Sequence, residues 1–153
     1  GQGYCVFNDL AVAARFAQTE LSLRRVLIFD VDVHQGDGTA AIFADDPTVL
    51  TVSLHGDRNY PSRKPPSTLD LGLPDECDDA AYLGAIDRAL EFVDGAPDVD
   101  LVIYLAGVDP FVDDRLGRLA VTEDGLRRRD ERCLEYFLTK RRLPVAVTMG
   151  GGY

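Results

Sequence analysis

Three features of this 153-residue sequence predict an α/β fold, a mostly parallel sheet layered between helices on both faces. Short apolar runs alternate with longer stretches of helical periodicity, the signature of strand-helix-strand units with right-handed crossovers. The runs are nearly continuous in apolar residues, as strands buried on both faces of a parallel sheet are. Several end abruptly in carboxylates, glycines or a tyrosine, and ligands of such sheets gather beyond the carboxyl ends of the strands.

In chain order, Asn8 or Asp9 can cap a short helix over 10–18, with Leu10, Ala13, Ala14 and Ala17 forming one small apolar face. Residues 25–33 form the opening strand, 38–43 a short helix and 49–54 a second strand. Pro61, Pro65 and Pro66 make 55–67 a long irregular loop. Long loops inside domains tend to be functional, which nominates Asp57, Arg58 and Tyr60 as a rim. Tyr82, Leu83, Ile86, Leu90 and Val93 recur at helical spacing, so 78–93 is an amphipathic helix. Residues 101–106 are a third strand, running straight into Gly107-Val108-Asp109-Pro110. Thr122, with Glu123 and Asp124 behind it, starts a helix to about residue 141 that buries Leu126, Cys133, Leu134, Phe137 and Leu138. Pro144 stops it, and 145–149 form the last strand before Gly150-Gly151-Gly152-Tyr153.

The length suits one domain, residues 1–153, with a substantial core. Twenty-six acidic residues against sixteen basic give a formal charge of −10. That balance argues against a nucleic-acid surface and favours a cationic partner. No run is long enough to span a membrane, and no secretory segment opens the chain. Cys5, Cys77 and Cys133 are odd in number and widely spaced, which points away from a disulfide framework and toward a reducing cytoplasm. The site-like sequences at both ends read as a piece cut from a longer protein.

Residues 27–39 carry the chemistry. A greasy strand runs into Asp30-Val31-Asp32-Val33-His34-Gln35-Gly36-Asp37-Gly38-Thr39, and period-two geometry puts Asp30, Asp32 and His34 on one face. Two carboxylates on one face repel unless something positive sits between them, and an oxygen and nitrogen donor set suits zinc, iron or another first-row ion. Acidic residues also close strands simply as helix caps, and an aspartate-nucleophile phosphatase would offer the same Asp-x-Asp. That chemistry leaves His34 and the glycine spacing without a role. Asp109, at the end of another buried run, completes a three-ligand set that leaves coordination positions open. Tyr153, on a glycine approach, can donate to a developing oxyanion, or simply pack a loop.

Five segments, Gly3-Tyr4-Cys5-Val6-Phe7-Asn8-Asp9, Asp30 to Thr39, Gly107-Val108-Asp109-Pro110, Asp113-Asp114-Arg115-Leu116-Gly117 and Gly150-Gly151-Gly152-Tyr153, together resemble the successive motifs of the histone deacetylase superfamily. Gln35 and Asn59-Tyr60-Pro61 are more similar to class IV deacetylases and their bacterial relatives. The resemblance implies the arginase/deacetylase fold, truncated at both ends, and a zinc-dependent (in some members iron-dependent) amidohydrolase. Such an enzyme removes acetyl or longer acyl groups from lysine or from another acetylated amine. It further implies that Asp32, His34 and Asp109 bind the metal and that Tyr153 is the transition-state hydrogen-bond donor. Gly3, Tyr4, Tyr60 and Leu116 match the walls of a narrow substrate channel, and Cys5 matches a position near the site or a buried thiol.

Asp30 and Asp37 match carboxylates that orient an adjacent pair of histidines acting as general base and acid. Asp30, with Ser53, Leu54 and the backbone of Asp32 and His34, matches a structural monovalent cation site, K+ being the natural occupant. The histidine pair itself belongs ahead of Gly3 and does not occur in this sequence, whose two histidines are His34 and His55. His55 reads as a polar residue at a strand end. A metal-binding module without turnover and an arginase-like hydrolase with a second metal near Asp113 and Asp114 are the competing readings.

Overall fold

The computed structural model describes residues 4–153. Its elements, in order, are α1 (Asp9–Glu20), β1 (Val26–Asp30), α2 (Asp37–Ile42), β2 (Val49–Gly56), β3 (Leu69–Leu73), α3 (Asp79–Gly95), β4 (Leu101–Leu105), α4 (Glu123–Leu134) and β5 (Val145–Thr148). The five strands form one sheet in the order β3-β2-β1-β4-β5, and every neighbouring pair is parallel.

Strand order reverses between β1 and β4, because the chain builds outward through β2 and β3 and then returns to the other side of β1. At such a switch point the loops leaving the two adjacent strands part to opposite sides and open a crevice. Val26 stands beside Leu101 and Asp30 beside Leu105, so both strands end at the same level.

Two apolar layers hold the sheet. On one face Leu27, Phe29, Val31 and Val33 pack with Tyr82, Ile86, Tyr104, Cys133 and Phe137, under α3 and α4. On the other, Val26, Ile28, Val49 and Ile103 meet Leu10, Ala11, Ala14 and Ala17 of α1. The buried edge of α1 is therefore Leu10, Ala11, Ala14 and Ala17, whereas Ala13 is exposed. Small alanines let the helix lie close to the sheet. The Asn8 side chain caps it by accepting from Ala11 N–H at 2.8 Å.

β1 ends at Asp30, three residues before the expected limit, yet side-chain alternation persists to Val33, since Val31 and Val33 stay in the same apolar layer as Phe29. β2 continues to Gly56, beyond the expected residue 54, and β3 lies between the expected loop and the expected helix, in a stretch to which the sequence reading gave no element. α4 starts at its Thr122 cap as expected, with Thr122 Oγ1 accepting from Gly125 N–H at 3.0 Å. It then widens into a π-helical stretch, Glu135–Lys140. The wider turn carries Tyr136 and Phe137 inward and leaves Leu138 exposed, contrary to the simple helical projection. Phe137 meets Phe29 edge-on, ring centres 5.2 Å apart. No helix among the described residues is long and apolar enough to cross a membrane.

Candidate metal centre

The crevice at the switch point collects the side chains singled out in the sequence. Asp32 and His34 follow β1, Asp109 follows β4, and one donor atom from each lies within 4.8 Å of the others. His34 Nδ1 is 3.1 Å from Asp32 Oδ1 and 3.0 Å from Asp109 Oδ2. Tetrahedral bonds of about 2.0–2.1 Å place neighbouring donors about 3.3 Å apart, so His34 stands at that spacing from each carboxylate, and the carboxylate oxygens lie within 4.8 Å of each other. Among the described residues it is the one group of three such donors that converges.

The carboxylates are aimed by backbone. Asp109, fully buried, accepts from Val33 N–H through Oδ1 at 2.8 Å, leaving Oδ2 for the centre. Asp32 accepts from His34 N–H at 2.8 Å and, through Oδ2, from Gly151 N–H at 2.7 Å. The loop before Tyr153 is thus fastened to Asp32 Oδ2 only because Gly151 has no side chain: a Cβ there would overlap Asp109 Oδ2 and lie 2.9 Å from Asp32 Oδ2. Gly107 is under the same constraint, its Cβ falling 2.6 Å from Asp32 Oδ2.

Electrostatics ask for a cation here. Burial disfavours a charged His34 imidazole, but hydrogen bonds to Asp109 and Asp32 overturn that and push its pKa up to about 10. Burial also works against the Asp32 carboxylate, and hydrogen bonds from His34 and Gly151 hold it below the usual range. Asp109 goes the other way, pushed up to about 6 by burial despite His34, with the Asp32 charge adding to the rise. An imidazole between two buried carboxylates retains a proton that a divalent ion can replace, so the residues fit a metal.

Asp30 lies one level down. Its carboxyl is buried, accepts from Asp32 N–H at 3.0 Å and is held well above the carboxylate range by burial, then by the Asp32 charge. It stands beside Ser53 in the β1–β2 register, with Leu54 next along β2, so the three residues of the expected monovalent-cation set are adjacent. Ser53 Oγ meets His55 Nδ1 at 2.9 Å. His55 is the last residue but one of β2, at the strand end as expected, and it is buried, which lowers its pKa. Asp37 sits in the first turn of α2, half-buried.

Tyr153 stands edge-on to His34, ring centres 6.0 Å apart at 88°, and 6.0 Å from the ring of Tyr4. Tyr4, Tyr60 and Leu116, the expected channel residues, are all exposed, and Arg115 N–H, next to Leu116, donates to Tyr153 C=O at 3.3 Å. Asn59, next to Tyr60 in sequence, donates through Nδ2 to Leu116 C=O at 2.8 Å. Gly3 lies outside the described residues. Cys5 is exposed, which removes the buried-thiol option, while Cys77 and Cys133 are buried and none of the three is paired.

Two buried polar residues escaped the sequence reading of the site. Gln35 spans from the ligand loop to Pro65 C=O at 2.7 Å and Asp70 Oδ1 at 2.8 Å, tying the proline-rich loop down. Arg129 on α4 is fully buried and donates to Gly107 C=O at 2.6 Å, behind the centre. Periodicity gives no hint of either, since both residue types are usually exposed.

Residues 1–153 match the family model described as the histone deacetylase domain. An uncharacterised protein of Picosynechococcus is 52% identical over 153 residues, and histone deacetylase 2 of Arabidopsis thaliana is 32% identical over 158. The chain spans 51% and 40% of those two proteins. Among solved structures, acetylpolyamine aminohydrolase from Burkholderia pseudomallei is similar at a TM-score of 0.78 with 29% identity, over 99% of this chain and 46% of that one. A deacetylase homologue from Aquifex aeolicus shares the fold at a TM-score of 0.86 and 23% identity, over 100% of this chain and 43% of that one. A five-stranded parallel sheet with helices on both faces, and a match along the whole sequence, together place this chain in the histone deacetylase family.

Proposed function

We propose that the protein is a metal-dependent amidohydrolase that removes acetyl or longer acyl groups from the amine of lysine or of a polyamine-like molecule. The observation that carries this reading is the convergence of Asp32, His34 and Asp109 at the switch point, with Tyr153 edge-on to His34. Zinc, or iron, held by those three residues would supply Lewis acidity toward an amide carbonyl and lower the pKa of a water. Tyr153 would donate its hydroxyl proton's hydrogen bond to the oxyanion as the carbonyl carbon becomes tetrahedral. Tyr4, Tyr60 and Leu116 would flank the apolar stem of an acyl-lysine, which suits aromatic and aliphatic walls. The names of the relatives, histone deacetylases and an acetylpolyamine aminohydrolase, support acylated amines as the substrate class. A net charge of −10 favours a cationic one.

Proton transfer is not provided by this set. His34 belongs to the ligand group and His55 is buried against Ser53. The family pattern assigns that work to an adjacent histidine pair oriented by Asp30 and Asp37. Asp30, a buried acid held well above the carboxylate range by burial, would serve either that pair or a structural K+. Unpaired cysteines accord with a reducing cytoplasm.

The test compares this chain with the product of its complete reading frame on an acetyl-lysine peptide and an acetylated polyamine. General acid and base groups are typically worth ~10²–10⁴-fold, so the longer protein should be faster by that order. Metal binding by both, with hydrolysis by neither, would overturn the enzymatic reading in favour of a metal-binding module.

A further inference from the structure

Asp114 makes three hydrogen bonds, all to backbone, that join segments far apart in sequence. Its Oδ1 accepts from Leu116 N–H at 2.9 Å and Gly117 N–H at 2.7 Å, folding the 114–117 turn around one oxygen. Its Oδ2 accepts from Tyr153 N–H at 2.7 Å, thirty-nine residues on. Arg115 N–H returns a bond to Tyr153 C=O at 3.3 Å, so the Tyr153 backbone is bracketed by this turn. The same turn presses on the metal side, where a Cβ on Gly117 would overlap the carbonyl oxygen of Asp109. One carboxylate therefore sets the channel residue Leu116 and the hydroxyl-bearing Tyr153 relative to each other and to Asp109.

We infer that Asp114 is a positioning residue for Tyr153: its Oδ2 fixes where the tyrosine backbone sits, and so where the phenol meets the developing oxyanion, while its Oδ1 shapes the channel wall. This rests on the oxyanion role proposed for Tyr153. Glycines 150–152 give the approach to Tyr153 little stiffness of its own, so external tethers supply it, Asp32 at Gly151 and Asp114 at Tyr153 itself. A side chain accepting two bonds on one oxygen and one on the other lets the two roles be separated. Asp114→Asn keeps an oxygen for the Leu116 and Gly117 amides and turns an NH2 toward Tyr153 N–H, donor against donor. Asp114→Ala removes all three bonds.

The experiment uses the metal-loaded protein made from its complete reading frame. Misplacement by about 1 Å can cost ~10²-fold, so Asp114→Asn should lower kcat by ~10–100-fold. Its KM and zinc affinity should stay within about 2-fold, whereas Asp114→Ala should also raise KM. On a Tyr153→Phe background, Asp114→Asn should cost little more, because the group it places is gone. Equal costs on both backgrounds, an unchanged kcat, or a parallel loss of zinc affinity would overturn the inference. The tether itself is read without catalysis, by 19F resonance of 3-fluorotyrosine at position 153, which should move in Asp114→Asn. A moved resonance together with unchanged hydrolysis in Tyr153→Phe would uphold the tether and sink the oxyanion reading; an unmoved resonance would sink the tether.

Discussion

Gly151 is where the demands of the centre meet in one residue. Its N–H holds Asp32, and its missing side chain leaves room for Asp109. Gly151→Ala should push the loop off both carboxylates and weaken zinc binding by ~10–100-fold, the usual cost of losing a residue that orients a ligand. Zinc titration against a competing chelator measures it, and unchanged affinity would show that the loop can shift freely. At this scale the sequence was legible where chemistry declares itself. Asp32, His34 and Asp109 were each marked by a greasy run ending in a charged or ligating residue. Gln35 and Arg129 were not, because a buried amide or guanidinium looks like a surface residue until its partners, Pro65, Asp70 and Gly107, arrive from elsewhere.

Among the elements, Asp100 shows how two strands that pair are also started together. Its Oδ2 accepts from Arg24 N–H at 2.7 Å and Arg25 N–H at 2.9 Å, just ahead of β1, while its own N–H donates to Arg25 C=O at 2.8 Å. Those backbone bonds hold its carboxyl below the usual carboxylate range. A carboxylate whose folded pKa is depressed adds stability above its unfolded value, and loses it as pH falls through the folded one. Asp100→Asn should therefore destabilise the fold near neutral pH, by less than about 1 kcal/mol because solvent screens this carboxylate. The gap to the parent should close as pH drops below about 4, the ordinary range of aspartate. Urea titrations across that window test the sign, and a gap that widens with acid would refute it. The missed element, β3, does carry a period-two signal in Leu69, Leu71 and Leu73. It is only five residues long and gains its identity from pairing with β2, which a single-segment reading does not see. The π-helical stretch is similar: its wider turn goes with Tyr136 and Phe137 packing inward, where the single proton of Tyr136 Oη faces two acceptors, Asp94 Oδ1 at 2.7 Å and Leu90 C=O at 3.1 Å.

For the whole molecule, a metal bound at this centre should act as a folding ligand, because the centre ties the loop after β1 to the loop after β4. Zinc at about a hundred times its Kd should stabilise the fold by about 2.7 kcal/mol, seen as a rise in Tm. Asp109→Ala should abolish most of that rise, and an equal rise in the variant would place the metal elsewhere. What residue order alone determined was the class of fold, the ends of most elements and the identity of the candidate ligands, since apolar periodicity, caps and abrupt polar endings are local properties. What the tertiary structure decided was convergence. That Asp32 and Asp109 share one crevice depends on β1 and β4 being neighbours at the point where strand order reverses, and strand order is set by which faces bury best together, a sum over contacts that no single stretch of sequence contains.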